Sequence, residues 1–438
     1  MIEIIIYGLL LIAVAFLGAP LFSIIGAIAL LAFHAAHYDS SLVIAELYRL
    51  ASAPTLIAIP LFTFAGYVLA ESGTPKRLVA VSQALLGWMA GGLAVVALVS
   101  CAIFTAFTGA SGVTIIALGG LLYPILIEEK YSENFSLGLT TTSGSLGLLF
   151  PPSLPLILYS MVASNSRTTG GAVADVSIDK LFAAGIIPGI LLVAILSIFS
   201  VRQGVKSHVP KIPFRWNTII RAVKDAAWEI PLPFLIIGGI YGGWFTATEA
   251  AAVTAFYVLI VEVFIYKDLK LFSDIPRIMK ESMVLVGAIL VILGCAMGLT
   301  NYLIDDEVPM KLFALIQHFI SSKAVFLILL NIFLLIVGMM MDIFSAIIVV
   351  VPLIIPIATA YQVNPLHLGI IFLTNLEIGY LTPPVGLNLF ISSFRFEKPV
   401  SEVVRATLPF IGILLLALIV ITYFPQLSLW MVELLNSK

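Results

Sequence analysis

Two stretches of this chain set a proline pair inside an apolar run: Gly147-Leu-Leu-Phe-Pro151-Pro152 and Gly379-Tyr-Leu-Thr-Pro383-Pro384. Proline removes a backbone donor and breaks a helix, and glycine lets other backbone come close. The carbonyls freed at such a break suit a hard cation such as sodium. The N–H groups that open the next half-helix suit an anion such as a carboxylate. Ser143, Gly144, Ser145 and Gly147 precede the first pair; Asn375, Glu377, Gly379 and Thr382 precede the second. Two further apolar runs are interrupted, one by Thr108-Gly109-Ala110-Ser111-Gly112 and one by Gly338-Met-Met-Met-Asp342. Thr108, Gly109 and Ser111 offer hydroxyl oxygens and flexible backbone at the first interruption; Asp342 and Ser345 offer oxygens at the second. Taken singly, each motif reads most simply as a kinked, tightly packed helix. Their recurrence in register favours a cation site in each half.

The elements that must position these residues are membrane helices. Hydrophobic residues make up 61% of the chain and charged ones 11%, with mean hydropathy +1.15. A soluble protein carries about a quarter charged residues, and a net charge of −2 argues against nucleic acid. Runs long enough to span fall near 2–18, 20–36, 54–71, 136–164, 180–200, 229–243, 246–266, 282–304, 366–395 and 408–430. Runs 90–128 and 323–360 have interrupted centres, and flanks of about 15 residues are short for a crossing, so each reads as a re-entrant hairpin. The order repeats: opening spans, an amphipathic arm (75–88 and 305–322), a hairpin, a proline-broken span and a closing span. Five crossings per half is an odd number, so the second half is expected to sit upside down. The expected fold is all-α and polytopic, with two inverted-topology repeats, each holding a re-entrant hairpin and a discontinuous helix. Scaffold spans are expected in 1–53 and 229–281, repeat 1 in 54–200, a basic cytoplasmic linker in 201–229 and repeat 2 in 282–432. Paired broken helices in two halves are the sequence pointer to a transporter's binding site.

Basic residues test this topology. With the N-terminus outside, sixteen lysines and arginines fall on the cytoplasmic side and six outside, the bias expected of a membrane protein. The linker reads as a surface helix attracted to anionic lipid. Asp305-Asp306-Glu307 reads as a solvated outer loop, and the segment Ile4 to Leu17, with no basic residue before it, as a retained span. Cys101 and Cys295 lie in apolar runs and read as packing residues. Four acids lie at membrane depth, Glu249, Glu262, Asp342 and Glu377, and such residues are functional candidates by default. Asp342, at a tip, ranks first. Glu249 reads as a helix-start residue capped by Thr246 or Thr248, and Glu262 as facing a neighbour near the interface. Gly109-Ala-Ser-Gly112 matches an intramembrane serine protease motif, but His208, His318 and His367 are poorly placed to serve Ser111 as base.

Four stretches resemble the large membrane subunit of TRAP transporters: Phe104–Gly119, Gly147–Tyr159, Phe245–Ala251 and Gly379–Phe390. The resemblance covers nearly the whole chain. It implies a sodium-coupled importer of organic acids that works by an elevator motion and needs no organic cofactor. A periplasmic binding protein would deliver the substrate, and a small four-helix membrane subunit, here a separate polypeptide, would hold the scaffold. The setting implied is a bacterial inner membrane. Carried over by motif, the sodium sites fall at Thr108, Gly109, Ser111, Ser145, Gly147 and Pro151, and at Gly338, Asp342, Gly379, Thr382 and Pro383. Ser111, Ser143, Ser153, Ser345 and Asn388 are the substrate-binding candidates. Many members read Ser-Gly-Ser at the first tip where this chain reads Thr-Gly-Ala-Ser, which leaves open which hydroxyl meets the ion. C4-dicarboxylates, sialic acids and similar carboxylates all fit this reading. A gated ion channel is the alternative from another class, and the protease with Ser111 a distant third.

Overall fold

The computed structural model describes residues 10, 13–14, 17, 19–37, 39, 41, 43–45, 48, 53–89, 91–166, 174–207, 214–320 and 322–436. Most of the span expected at 2–18, with Arg49, Arg167, His208, Lys211 and Lys438, lies outside them. The described residues are helical, with no strand among them. Among the described residues, seven helices are long and apolar enough to cross a membrane, or eight if one bent pair counts as a span.

The element order of the first half recurs in the second. Helix Ala58–Glu71 leads into the arm Thr74–Leu86, then two helices, Gly92–Thr108 and Ser111–Glu128, joined at Gly109-Ala110. Glu133–Ser143 and Leu154–Ser164 flank the first proline pair, and Ile178–Lys206 closes the half. Helix Asp274–Asp305 then leads to the arm Val308–Phe319 and the pair Lys323–Met340 and Ile343–Ala360. Pro365–Gly379 and Leu387–Phe396 flank the second proline pair, followed by Val400–Tyr423. Helices Leu21–Ala35, Pro231–Tyr241 and Ala247–Ile260 complete the opening spans, and Trp216–Asp225 is a surface helix within the linker.

Both interrupted runs fold back on themselves. In the first, Gly91 and Tyr131, at opposite ends of the run, both lie within about 3 Å of the space a Gly204 side chain would take. In the second, Lys323 Nζ donates to the Gln362 carbonyl at 2.7 Å, Tyr361 Oη to the Ile320 carbonyl at 2.6 Å, and Phe326 stacks on Tyr361. The limbs are longer than expected: 17 and 18 residues in the first hairpin, 18 and 18 in the second. Apolar residues continue right up to the tips, so nothing shortens the helices before the glycine or the aspartate.

Two boundaries differ from expectation. The span expected at 282–304 begins at Asp274, whose carboxylate accepts from the Lys270 backbone N–H and the Ser273 hydroxyl at the early helix start. The run expected at 408–430 divides into Val400–Tyr423 and Gln426–Asn436. Pro425 separates them, since it cannot continue the helix before it.

Charge clamps the first arm onto the opening helices. Arg77 meets Glu229 at 2.7 Å, Glu262 at 3.0 Å and Asp268 at 2.7 Å, with its guanidinium 3.9 Å from the Tyr266 ring centre. Thr74 Oγ1 donates to Glu229 at 2.7 Å. Glu262 therefore does face a neighbour, as its sequence position suggested.

Candidate functional site

Each hairpin tip is pressed against the proline break of its own half. At the first, Gly109 ends helix Gly92–Thr108 at φ 64°, and its N–H donates to the Thr105 carbonyl at 2.8 Å. Thr105 Oγ1 lies 2.7 Å from Thr114 Oγ1 and 2.9 Å from the Gly144 carbonyl, stapling both limbs to the break. Gly147 sits so close to the first limb that a Cβ there would fall 2.2 Å from the Ala102 carbonyl oxygen. At the second tip a Cβ on Gly379 would fall 2.5 Å from the Gly338 backbone, and Gly386 N–H donates to the Met339 carbonyl at 3.0 Å. Glycine is needed at both closures because two backbones occupy the space of one side chain.

The second limb of the first hairpin reaches across to the other half. Ser111 Oγ donates to Asn388 Oδ1 at 2.7 Å, and Arg395 Nε donates to the Ile116 carbonyl at 3.0 Å. Helix Leu154–Ser164, after the first break, packs in turn on Ile343–Ala360 of the second hairpin. Tyr159 Oη donates to the Pro365 carbonyl at 2.9 Å, with its ring over Gly369. The tips and breaks of both halves therefore share one interior.

The two tips differ in what they leave free. Helix Ser111–Glu128 begins with no side-chain cap, so its first backbone N–H groups face the site without a side-chain acceptor. The helix that starts at Ile343 is capped instead. Asp342 accepts from Phe344 N–H and Ser345 N–H at 3.0 Å each and from the Ser345 hydroxyl. Tyr380 Oη accepts from Ile343 N–H at 2.5 Å. The acid ranked first in the sequence is an exposed helix cap.

The remaining candidates fall into two groups. Ser143 and Ser145 bond back to the carbonyls of Thr140 and Thr142, and Thr382 to that of Ile378. In contrast, Thr108 Oγ1, Ser153 Oγ and Asn388 Nδ2 are buried with no hydrogen-bond partner among the described residues, as are Thr142 Oγ1, Asn375 Oδ1 and both Glu377 oxygens. A buried polar atom normally finds a partner, so a concentration of unpaired oxygens at the breaks fits oxygen ligation of a small cation. Sequence reading missed the Thr105–Thr114 staple and Thr142. Thr105 and Thr114 stand one turn from the tip hydroxyls Thr108 and Ser111, and Thr142 lies in the run Thr140-Thr141-Thr142-Ser143 before the first break, so spacing to the neighbouring hydroxyls was the available signal.

A polar chain runs away from the second break. Asn375 Nδ2 donates to Asn331 Oδ1 at 2.8 Å, and Asn331 Nδ2 to Thr422 Oγ1 at 3.1 Å. His367 lies 3.2 Å from the Thr422 carbonyl and 3.1 Å from Ser428 Oγ. It lines a cavity of about 430 Å³ with Lys323, Asn364 and Tyr423. Glu249 forms the expected cap with Thr246, whose N–H donates to it at 2.8 Å.

Residues 6–427 match the family model described as "Tripartite ATP-independent periplasmic transporter, DctM component". A C4-dicarboxylate TRAP transporter large permease protein of Vibrio cholerae is 35% identical over 87% of this chain and 86% of its own length. An isethionate TRAP transporter permease protein of Oleidesulfovibrio alaskensis is 33% identical over 86% of this chain and 58% of its own. Among solved structures, the YdaH transporter of Alcanivorax borkumensis aligns over 87% of each chain with TM-score 0.62 at 14% identity, a likeness of fold.

Proposed function

Since this chain belongs to the DctM component family, the large permeases of TRAP transporters, we propose that it imports an organic acid anion coupled to sodium. The observation that carries this reading is the meeting of two tip-and-break pairs on one interior of buried, unpaired oxygens. One sodium would sit among Thr108, Gly109, Ser145, Gly147 and Pro151. A second would sit among the backbones of Gly338, Gly379, Thr382 and Pro383, with Asp342 ordering the tip. The substrate anion would lie between, at the uncapped helix start by Ser111, with Ser143, Ser153, Ser345 and Asn388 around it. The lysines and arginines of these helices lie near their ends, and Arg395 is engaged with the Ile116 carbonyl, so bound cations and backbone dipoles would balance the substrate's charge.

The movement proposed is an elevator. The hairpins and broken helices would travel as a body past the opening spans, with the two halves oppositely oriented and the N-terminus periplasmic. Helix Ala58–Glu71 would be one face of that movement; it packs closely on the first hairpin, where a Cβ on Gly66 would fall 2.5 Å from the Phe107 carbonyl oxygen. A small membrane subunit and a periplasmic binding protein complete the proposed assembly. C4-dicarboxylates and isethionate are the substrate classes suggested by relatives, and sialic acids fit the same chemistry.

The test is uptake by proteoliposomes holding both membrane subunits, supplied with loaded binding protein. Uptake should require sodium and vanish when choline replaces it. Sodium-independent uptake sinks the coupling. Conductance without substrate favours a channel, and loss of a proteolytic activity in Ser111→Ala would be needed to revive the protease.

A further inference from the structure

Four acids lie at membrane depth in the sequence, and the structure accounts for three. Glu249 closes a capping box, Asp342 caps a helix, and Glu262 pairs with Arg77. Glu377 has no such explanation. It is 2% exposed, and neither carboxyl oxygen has a hydrogen-bond partner among the described residues. It stands shortly before the second break, yet its helix packs against the turn Leu146–Leu149 of the first, where the Leu148 N–H, given to the Ser145 carbonyl at 3.0 Å, approaches the carboxyl. The helices packed around it carry basic residues only near their ends: Lys180, Arg202, Lys206, Lys323 and Arg405. Removing a lone carboxylate from water without a counter-charge costs several kcal/mol, and membrane depth makes this worse.

We propose that Glu377 supplies the fixed negative charge for a cation held between the two halves, at the seam joining the first break to the second. This rests on the sodium-coupled reading. Asn375 Oδ1 on the same helix and Thr142 Oγ1 before the first break are also buried without a partner, and a hard monovalent cation takes an oxygen-rich setting. Among the described residues no three His, Cys, Asp or Glu side chains cluster as they would for a transition metal. A charge carried by the second half and presented to the first makes the cation a bridge, so its arrival would draw both breaks into one rigid unit.

The experiment uses the permease purified with its small subunit, melted in sodium chloride and in choline chloride at equal ionic strength, alongside sodium titrations of uptake. Wild type should gain thermal stability with sodium. Glu377→Gln should gain clearly less than wild type, with half-saturating sodium raised at least 10-fold. An unchanged sodium response in Glu377→Gln overturns the inference and leaves sodium coupling standing. If the glutamine variant does not fold, Glu377→Asp is titrated with radioactive sodium; weakened binding supports the assignment and wild-type binding overturns it. A wild type indifferent to sodium in both assays removes the parent reading itself.

Discussion

The two proline breaks share a motif and differ in access to solvent. Pro151 and Pro152 are buried, whereas Pro383, Pro384 and Val385 are exposed. Both Pro–Pro bonds are cis. The difference lies in what covers them. Helix Ile178–Lys206 crosses the first break, and Gly185 and Gly189 make room for the Leu149 carbonyl and the Phe150 ring. The corresponding helix Val400–Tyr423 has Gly412 with nothing within 4 Å of its missing Cβ, and it leaves the second break open. The motif sets where a helix breaks; packing of a distant helix sets which break meets water.

Thiol labelling offers the largest effect by which to break this contrast. With Cys101 and Cys295 replaced, Val385→Cys should react with a membrane-impermeant maleimide at least 100-fold faster than Ser153→Cys. Equal rates would mean the breaks are equally open. Next in size is Gly185→Ala, whose Cβ would fall 2.1 Å from the Leu149 carbonyl oxygen. Backbone cannot step aside like a side chain, so overpacking should cost about 1–3 kcal/mol, read as a lowered melting temperature. A silent Gly185→Ala would show that the cover is loose. Ser111→Ala removes the bond to Asn388 between halves and should cost about 1 kcal/mol, again read by melting. The smallest effect, of opposite sign, is Gly412→Ala, which should stabilise by up to about 1 kcal/mol through helix propensity alone. A loss there would mean the second closing helix is also tightly packed.

Much of this arrangement was legible in local sequence. Proline pairs, glycines and apolar lengths placed both breaks, both hairpins and both arms within a few residues, because each signal acts on its own neighbours. Thr246 and Glu249 were read correctly for the same reason. The cap at Asp342 was missed although a local signal existed: an aspartate just before a helical run is a standard cap. The seam was not legible. Ser111 and Asn388 lie 277 residues apart, and nothing local to either names the other. Burial separates Glu377 from Asp342 for the same reason, since only the packed structure shows which acid lacks a partner.

The reach of Ser111 to Asn388 also bears on how the molecule is born. At about 5–20 residues per second, synthesis of the intervening 277 residues takes roughly 14–55 s. Throughout that interval the first half sits in the bilayer as an unfinished body, its second hairpin limb lacking the surface that will receive it. The first half can close its own tip on its own break in that time, but Ser111 must wait for Asn388 to complete the contact between the halves.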